Sequence, residues 1–234
     1  MYWLNGVKNV LPRSSEDASA SGIAISGSNI FIIGSDGDDA VYWLNGNRNV
    51  LPRTGDYARA RGIAISGSNV FIIGEDGDDA VYWLNGVKHV LSNNSDATSI
   101  AISGSNIYIT GGDGDAVYWL NGIRNVLPRS GDKAYARGIA ISGSDVYITG
   151  FDGDDAVYWL NGVKHILPKK YNYGYARSIA ISGSNVYIVG VVGSEDGSAG
   201  IGNDAVYWLN SAINILPTTG PMVMRVASKI IVIQ

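Results

Sequence analysis

The sequence predicts an all-β chain, a six-bladed β-propeller of four-stranded antiparallel blades, on three observations. All six tryptophans stand in one repeated phrase, which begins as Tyr2-Trp3-Leu4-Asn5-Gly6 and recurs at Trp43, Trp83, Trp119, Trp159 and Trp208. A second phrase, Ile-Ala-Ile-Ser-Gly-Ser followed by Asn or Asp, begins at Ile23, Ile63, Ile100, Ile139 and Ile179. No segment shows sustained helical periodicity, and repeats of about 40 residues without helices indicate a propeller.

Each repeat contains two predicted β-hairpins. The dipeptide Asn5-Gly6 separates Tyr-Trp-Leu from Val-Lys-Asn-Val, and Asn-Gly between such runs is a strong hairpin signal because both residues tolerate positive φ. The second phrase turns at Gly27-Ser28. We name the four strands A (Ile-Ala-Ile-Ser), B (the apolar run that follows), C (Tyr-Trp-Leu) and D (Lys-Asn-Val-Leu).

Strand D is the most polar strand, and we interpret it as the exposed outer edge of each blade. Edge strands are commonly protected from pairing with other chains by a charged side chain, lysine above all. One basic residue recurs at the same position of strand D, as Lys8, Arg48, Lys88, Arg124 and Lys164.

This assignment predicts a single domain over residues 1–234 in which the last blade is shared between the two ends of the sequence. Closing the ring in this way pairs residues 222–234 with residues 2–11. The alternative phasing puts Tyr-Trp-Leu innermost and makes every blade contiguous. In the preferred phasing the complete blades are residues 22–51, 62–91, 99–127, 138–167 and 178–216.

Composition excludes several classes of function. The net charge is −4, with 17 basic and 21 acidic residues, which argues against a nucleic-acid partner. There is no cysteine, so thiolate chemistry and thiolate metal sites are excluded. No apolar run reaches the ~18 residues of a membrane span, and no signal peptide is visible. We expect a soluble monomer that is cytoplasmic or mature extracytoplasmic.

The face that carries the D–A and B–C loops is the predicted binding surface, because the A–B and C–D turns are too short to hold a ligand. Arg61, Arg137 and Arg177 immediately precede strand A and are expected to converge on the channel mouth. Arginine forks suit anionic groups, and tyrosines supply flat stacking surfaces. The alternative is that these arginines pair with acids of neighbouring B–C loops. The remaining candidate ligand-binding residues are Tyr135, Tyr175, Arg59 and Tyr57.

The B–C loops are acidic, and two hypotheses explain them. One is a set of Ca²⁺ sites, because hard cations prefer carboxylate oxygens. The other, which we prefer, is turn formation, because Asp-Gly is turn chemistry and the spacing does not match the calcium-loop motif. We therefore predict no cofactor, with Ca²⁺ as the alternative. The aspartates concerned are Asp36, Asp38, Asp76, Asp78, Asp152 and Asp154.

The repeat resembles a group of bacterial hypothetical proteins that carry Tyr-Trp-x-Asn-Gly and Ser-Gly-x-Asp-Val-Tyr repeats and look like β-propellers. The strand phasing is also similar to that of WD40 propellers, although the Gly-His and Trp-Asp signatures of that family are absent. The resemblance covers nearly the whole chain and implies a fold. It implies no activity and no functional residues.

These observations favour a non-enzymatic binding or interaction scaffold whose partner is a protein, a glycan or a small anion. His89 and His165 occupy surface positions of strand D, and no catalytic constellation stands out, so no catalytic residue is predicted. One alternative is a lectin with repeated sites, where weak sites add through avidity. A further alternative is a hydrolase or lyase whose site is assembled from loops at the channel mouth.

Overall fold

The computed structural model describes residues 1–193, 204–217 and 229–230, and within them the chain forms strands and turns but no helix. The chain divides into two compact units, Met1–Ile109 and Thr110–Gln234.

The strands of the first half of the chain follow one another as hairpins. An N-terminal sheet of two strands precedes the first and second four-stranded sheets, and two further strands begin the third. These strands are β1 (Tyr2–Leu4), β2 (Val7–Asn9), β3 (Ala18–Ser26), β4 (Asn29–Asp36), β5 (Asp39–Leu44), β6 (Asn47–Val50), β7 (Ala58–Ser66), β8 (Asn69–Asp76), β9 (Asp79–Leu84), β10 (Val87–Ser92), β11 (Asp96–Ser103) and β12 (Asn106–Gly112).

The second half of the chain repeats this pattern. Two strands complete the third sheet, and the fourth and fifth sheets follow. These strands are β13 (Ala116–Leu120), β14 (Ile123–Val126), β15 (Ala134–Ser142), β16 (Asp145–Asp152), β17 (Asp155–Leu160), β18 (Val163–Ile166), β19 (Tyr173–Ser182), β20 (Asn185–Gly193), β21 (Asp204–Leu209) and β22 (Ala212–Ile215).

Each four-stranded sheet is built from consecutive strands that pair in chain order, from strand A to strand D. In the first such sheet, β3 pairs with β4, β4 with β5 and β5 with β6, all antiparallel. The prediction of an all-β chain of repeated four-stranded antiparallel sheets is confirmed. The predicted pairing of residues 222–234 with the N-terminal sheet lies almost entirely outside the described residues and stays a prediction.

The hairpin turns have the predicted chemistry. Asn45 and Gly46, between β5 and β6, have φ values of 51° and 87°. Two successive residues with positive φ match the right-handed twist of the paired strands, and Asn-Gly adopts this conformation with little strain. Asn45 also accepts the backbone N–H of Ile30 on its side-chain oxygen, so this turn is tied to the neighbouring hairpin.

Tryptophans fill the space between consecutive sheets. Trp83 packs with Ile72 and Val81 of its own sheet and with Ile33 and Ala40 of the preceding one. Five of the six tryptophans are at most 2% exposed, whereas Trp3 of the two-stranded sheet is 62% exposed. The position is therefore a packing position, which is what its repetition in every repeat predicts.

The buried indoles are also hydrogen-bonded, and the acceptor lies on the connection that leads into the same sheet. Trp83 donates from Nε1 to the carbonyl of Pro52 at 2.8 Å. Trp119 is the exception, since its buried Nε1 has no partner within the described part of the chain. The same bond to a proline carbonyl is made by Trp43 to Pro12, Trp159 to Pro128 and Trp208 to Pro168.

This exception allows the indole hydrogen bond to be isolated. Trp83→Phe removes a buried donor and leaves the Pro52 carbonyl without it, whereas Trp119→Phe removes a donor that has no partner. Both side chains are fully buried, so the loss of ring volume is matched. We expect Trp83→Phe to lower the free energy of unfolding by about 1 kcal/mol more than Trp119→Phe, measured by urea denaturation. Equal losses would show that the bond contributes nothing.

Candidate anion-binding site

A β-bulge interrupts strand A at the position of the predicted site residues. In β7 the pairing with β8 skips Arg61, because Ala60 pairs with Gly74 and Gly62 with Ile73. A bulge leaves one residue outside the ladder and redirects its side chain. The residues skipped in this way are Ser21, Arg61, Arg137 and Arg177.

A glycine in strand B makes room for each bulge. A Cβ atom on Gly74 would lie 1.8 Å from the carbonyl oxygen of Arg59, a distance that no side chain can adopt. Glycine inside a strand often marks such a close backbone approach. The same contact recurs at Gly34, Gly150 and Gly190, at 1.9 to 2.0 Å.

The bulge also corrects the expected position of the site residues. The sequence places Arg59, Tyr135 and Tyr175 in D–A loops, but all three lie in strands, paired with Glu75, Phe151 and Val191 respectively. Strand A starts up to six residues earlier than Ile-Ala-Ile-Ser, because beyond the bulge it continues to pair with the end of strand B. Tyr57 is the predicted site residue that directly precedes a strand.

Arg61 is neutralised within its own sheet. Its Nη2 and Nε atoms donate to one oxygen of Glu75 at 2.6 and 3.1 Å, and the Glu75 side chain is only 10% exposed. Arg59 donates to the carbonyl of Gly37 at 2.6 Å, and its guanidinium lies 5.8 Å from the ring centre of Tyr57. Burial and the nearby carboxylates, Glu75 first among them, raise the pKa of Tyr57 above its ordinary value.

Arg137 and Arg177 have no acidic partner among the described residues. Both Nε atoms are buried without a hydrogen bond, and neither guanidinium forms an ion pair in the described part of the chain. Burial lowers the pKa of Arg177, and the positive charge of Arg137 lowers it further.

The backbone explains why the two arginines are neighbours. A Cβ atom on Gly138 would lie 3.0 Å from the Cα of Ser178 and 3.1 Å from the carbonyl oxygen of Arg177, so β15 and β19 touch at their bulges. At the position that Glu75 holds beside Arg61, the other two sheets carry Phe151 and Val191. The acid is therefore missing in both copies.

A third unsatisfied polar atom lies next to the pair. Thr149, which pairs with Gly138, is fully buried, and its hydroxyl has no hydrogen-bond partner within the described residues. Buried polar atoms without partners are rare in proteins, and each calls for an explanation. Three of the four found in the described part of the chain belong to Arg137, Thr149 and Arg177.

Aromatic rings lie beside Arg137 and continue to Tyr173. The Arg137 guanidinium lies 5.2 Å from the ring centre of Tyr135 and 5.8 Å from that of Phe151, and these two rings are parallel at 6.0 Å. Phe151 meets the edge of Tyr175 at 4.9 Å, and Tyr175 lies 5.3 Å from Tyr173. We call Arg137, Arg177, Tyr135, Phe151 and Tyr175 the arginine–aromatic cluster.

Sequence reasoning missed Phe151. It lies at the end of strand B, where the sequence marks only the acids as unusual, and its importance comes from its register with Tyr135. One signal in the sequence could have identified it: the fourth repeat has a large aromatic residue where the first two repeats have Ser35 and Glu75. A glycine also seats one ring, because a Cβ on Gly112 would lie 2.5 Å from the ring of Tyr135.

The B–C aspartates serve the turns of the chain. Asp36 accepts the backbone N–H groups of Ser14 and Ser15 at 2.7 and 2.8 Å and the Ser14 hydroxyl at 2.9 Å, and Arg48 pairs with it. Asp76 and Asp152 hold the corresponding segments, Thr54-Gly55 and Ser130-Gly131. We call each of these buried aspartates, with its backbone donors and its cation, an aspartate bracket.

The other aspartates of these loops act through their backbone. The carbonyls of Asp38, Asp78 and Asp154 accept the N–H groups of Ala58, Ser95 and Gly174, at 2.8 to 2.9 Å. In the part of the chain that the structure describes, no three acidic or imidazole side chains form a group that could hold a metal ion. The Ca²⁺ alternative has no further support and stays untested.

The basic residue of strand D has a role that the sequence did not indicate. Instead of only protecting an edge, Arg48, Lys88 and Lys164 reach back to the buried carboxylates of Asp36, Asp76 and Asp152. In the third sheet the same contact joins Arg124 to Asp113 at 2.8 Å.

The fifth sheet replaces both members of this pair together. Val192 stands where the fourth sheet has Asp152, and Ile213 where it has Lys164. Both belong to one apolar cluster. A buried ion pair can be exchanged for apolar residues without loss of stability only when both partners change, so the double replacement indicates a single structural unit.

The two histidines stack on tyrosines of strand C. His89 lies 4.6 Å from the ring of Tyr82, and His165 lies 4.7 Å from that of Tyr158.

No helix of the described residues is long and apolar enough to cross a membrane.

Comparison with known proteins identifies the fold. No family model and no curated protein matches the sequence. The WD40 β-propeller domain of Doa1 is similar in structure, with a TM-score of 0.56 and 13% identity over 88% of this chain and 69% of that chain. The computationally designed Ika8 protein gives 0.52 and 15%, over 94% and 67% of the two chains. U3-55K gives 0.50 and 15%, over 83% and 65%.

Similarity at this level of identity establishes the fold alone. The chain has the β-propeller fold, with WD40-like architecture, as the repeat predicts. Membership of the bacterial group that the repeat resembles stays a prediction.

The aspartate bracket predicts a defined acid sensitivity. Burial alone would raise the pKa of Asp36, but hydrogen bonds from Ser14, Ser15 and Arg48 outweigh it and lower the pKa to about 2. A depressed pKa stabilises the fold above the unfolded value near 3.8 and ceases to do so as the pH falls towards 2.

We therefore expect the urea concentration at the unfolding midpoint to decrease as the pH is lowered from 4 to 2. Asp36→Asn should remove part of this decrease. At pH 7 the substitution should cost about 2 kcal/mol, because hydrogen bonds to a charged acceptor are lost. Glu16→Gln, at an exposed carboxylate of the same connection, is the control and should leave the acid limb unchanged. If the unfolding midpoint of Asp36→Asn decreased with pH as steeply as that of the wild type, the aspartate bracket would be contradicted.

Proposed function

We propose that the chain is a non-enzymatic binding scaffold that holds an anionic group of its ligand between Arg137 and Arg177. One observation carries the proposal: two adjacent, partly buried guanidiniums without an acid among the described residues. Clustered charge inside a protein is normally paired, because desolvation makes an unpaired charge costly. A bound anion restores this balance and gains charge-assisted hydrogen bonds from both arginines.

The contrast with Arg61 supports this assignment. Arg61 occupies the same bulge position but forms an ion pair with Glu75. In the second sheet the acid that neutralises the bulge arginine therefore lies at the end of strand B. Phe151 and Val191 stand at this position in the other two sheets, so both positive charges lack an acid among the described residues.

The arrangement favours one site over many. The bulge residue is serine in the first sheet, a paired arginine in the second, and an arginine without an acid in the fourth and fifth. Equivalent sites in every repeat, which the lectin alternative requires, find no support in this variation. The proposal concerns the anionic group itself, whether a partner protein or a small molecule carries it.

Anion titrations test the proposal directly. We expect inorganic phosphate, sulfate, citrate and glucuronate, each titrated calorimetrically, to include at least one that binds the wild-type chain. Arg137→Gln combined with Arg177→Gln should weaken that binding at least about tenfold, the scale of one lost charge-assisted hydrogen bond.

The matched control is Arg61→Gln, which changes an arginine at the same bulge position whose charge is already neutralised by Glu75. It should leave anion affinity unchanged. The proposal fails if no anion binds, or if Arg61→Gln weakens binding as much as the double variant does. Unfolding curves of each variant establish that the fold is retained.

A further inference from the structure

We infer that the anionic group is a phosphate monoester carried on a ring. This inference rests on the proposed function and names the chemistry of its ligand. Three features of the arginine–aromatic cluster lead to it: the number of charges, the number of donors, and the rings beside them.

The charge count favours a dianion. Four acids in the described part of the same unit already pair with other cations, and no described acid forms an ion pair with Arg137 or Arg177. Within the described residues two guanidinium charges are left without an acid, and one ligand group that neutralises both carries two negative charges, as a phosphate monoester does at neutral pH. The ion pairs that engage the acids are Asp113 with Arg124, Asp115 with Arg129, Asp152 with Lys164 and Asp155 with Lys169.

The donors favour a tetrahedral group. Both Nε atoms of the pair are buried and lack a partner among the described residues, so a ligand oxygen that reaches them would satisfy one donor on each arginine. A guanidinium that binds through its Nε–Nη side engages two acceptor oxygens. Two guanidiniums that each engage two acceptor oxygens are better matched by the three terminal oxygens of a phosphate monoester than by the two oxygens of a carboxylate.

The aromatic residues favour a ligand with a ring. Tyr135 and Phe151 hold the Arg137 guanidinium by cation–π contact, which fixes its direction. Tyr175 and Tyr173 extend this group of rings from Phe151, and all four residues are partly exposed. Aromatic surfaces attract other rings through stacking and apolar contact. A phosphate attached to a ring therefore satisfies both halves of the cluster at once.

Calorimetric titration of the full chain with four probes tests the inference. The probes are phenyl phosphate, phenyl sulfate, benzoate and methyl phosphate, all at pH 7.5. We expect phenyl phosphate to bind about tenfold more tightly than phenyl sulfate or benzoate, because its second charge interacts with the second guanidinium. Phenyl phosphate should also bind more tightly than methyl phosphate, because only it brings a ring.

The variant Tyr175→Leu separates the ring from the charge. It should bring the affinity for phenyl phosphate down to that for methyl phosphate and leave methyl phosphate itself unchanged. Equal affinities for phenyl phosphate and phenyl sulfate or benzoate, or an unchanged preference in Tyr175→Leu, would overturn this inference while the proposed anion site stands. If no probe binds, or if Arg137→Gln with Arg177→Gln changes nothing, the proposed function fails and this inference with it.

Discussion

A buried carboxylate at the end of strand B organises the first, second and fourth of the four-stranded sheets. Asp36, Asp76 and Asp152 each fix the segment before strand A through two backbone N–H groups, and each takes one cation from strand D. The bracket ties the first, second and last strands of a sheet into one unit. Desolvation makes a carboxylate without such partners unstable, so its donors and its cation must be present together.

The candidate site departs from this rule, because two of its charges lack a partner among the described residues. Two other arginines near the ends of these sheets have an acid within reach, since Arg61 has Glu75 and Arg53 has Asp39. Arg137 and Arg177 have kept the bulge that directs them but not the acid opposite. Stability alone would favour restoring it, and exceptions to local consistency are expected where a protein binds or reacts. The stacked rings of Tyr135 and Phe151 support this interpretation, since they hold the Arg137 guanidinium without neutralising it.

Sequence patterns predicted the fold well because its determinants are local. Asn-Gly turns, apolar runs and the buried Tyr-Trp phrase specify hairpins within about 12 residues of each other. The bulges were missed because Gly74 and its counterparts resemble strand ends, and their role depends on a carbonyl 15 residues away in the sequence. The arginines were found as candidates, but which of them is paired depends on strand register. Phe151 was missed for the same reason, since nothing in its neighbourhood marks it as the replacement for an acid.

A glutamate placed at position 151 of the fourth sheet would show directly whether Arg137 lacks an acid. The free energy of unfolding would be measured for the wild type, Phe151→Glu, Arg137→Gln and the double variant, which together form a double-mutant cycle. If Arg137 lacks an acid, the new glutamate should couple to it favourably by about 1 kcal/mol, as Glu75 is placed to do with Arg61. Additive effects, with no coupling between positions 137 and 151, would contradict the claim that Arg137 is left for an anionic ligand.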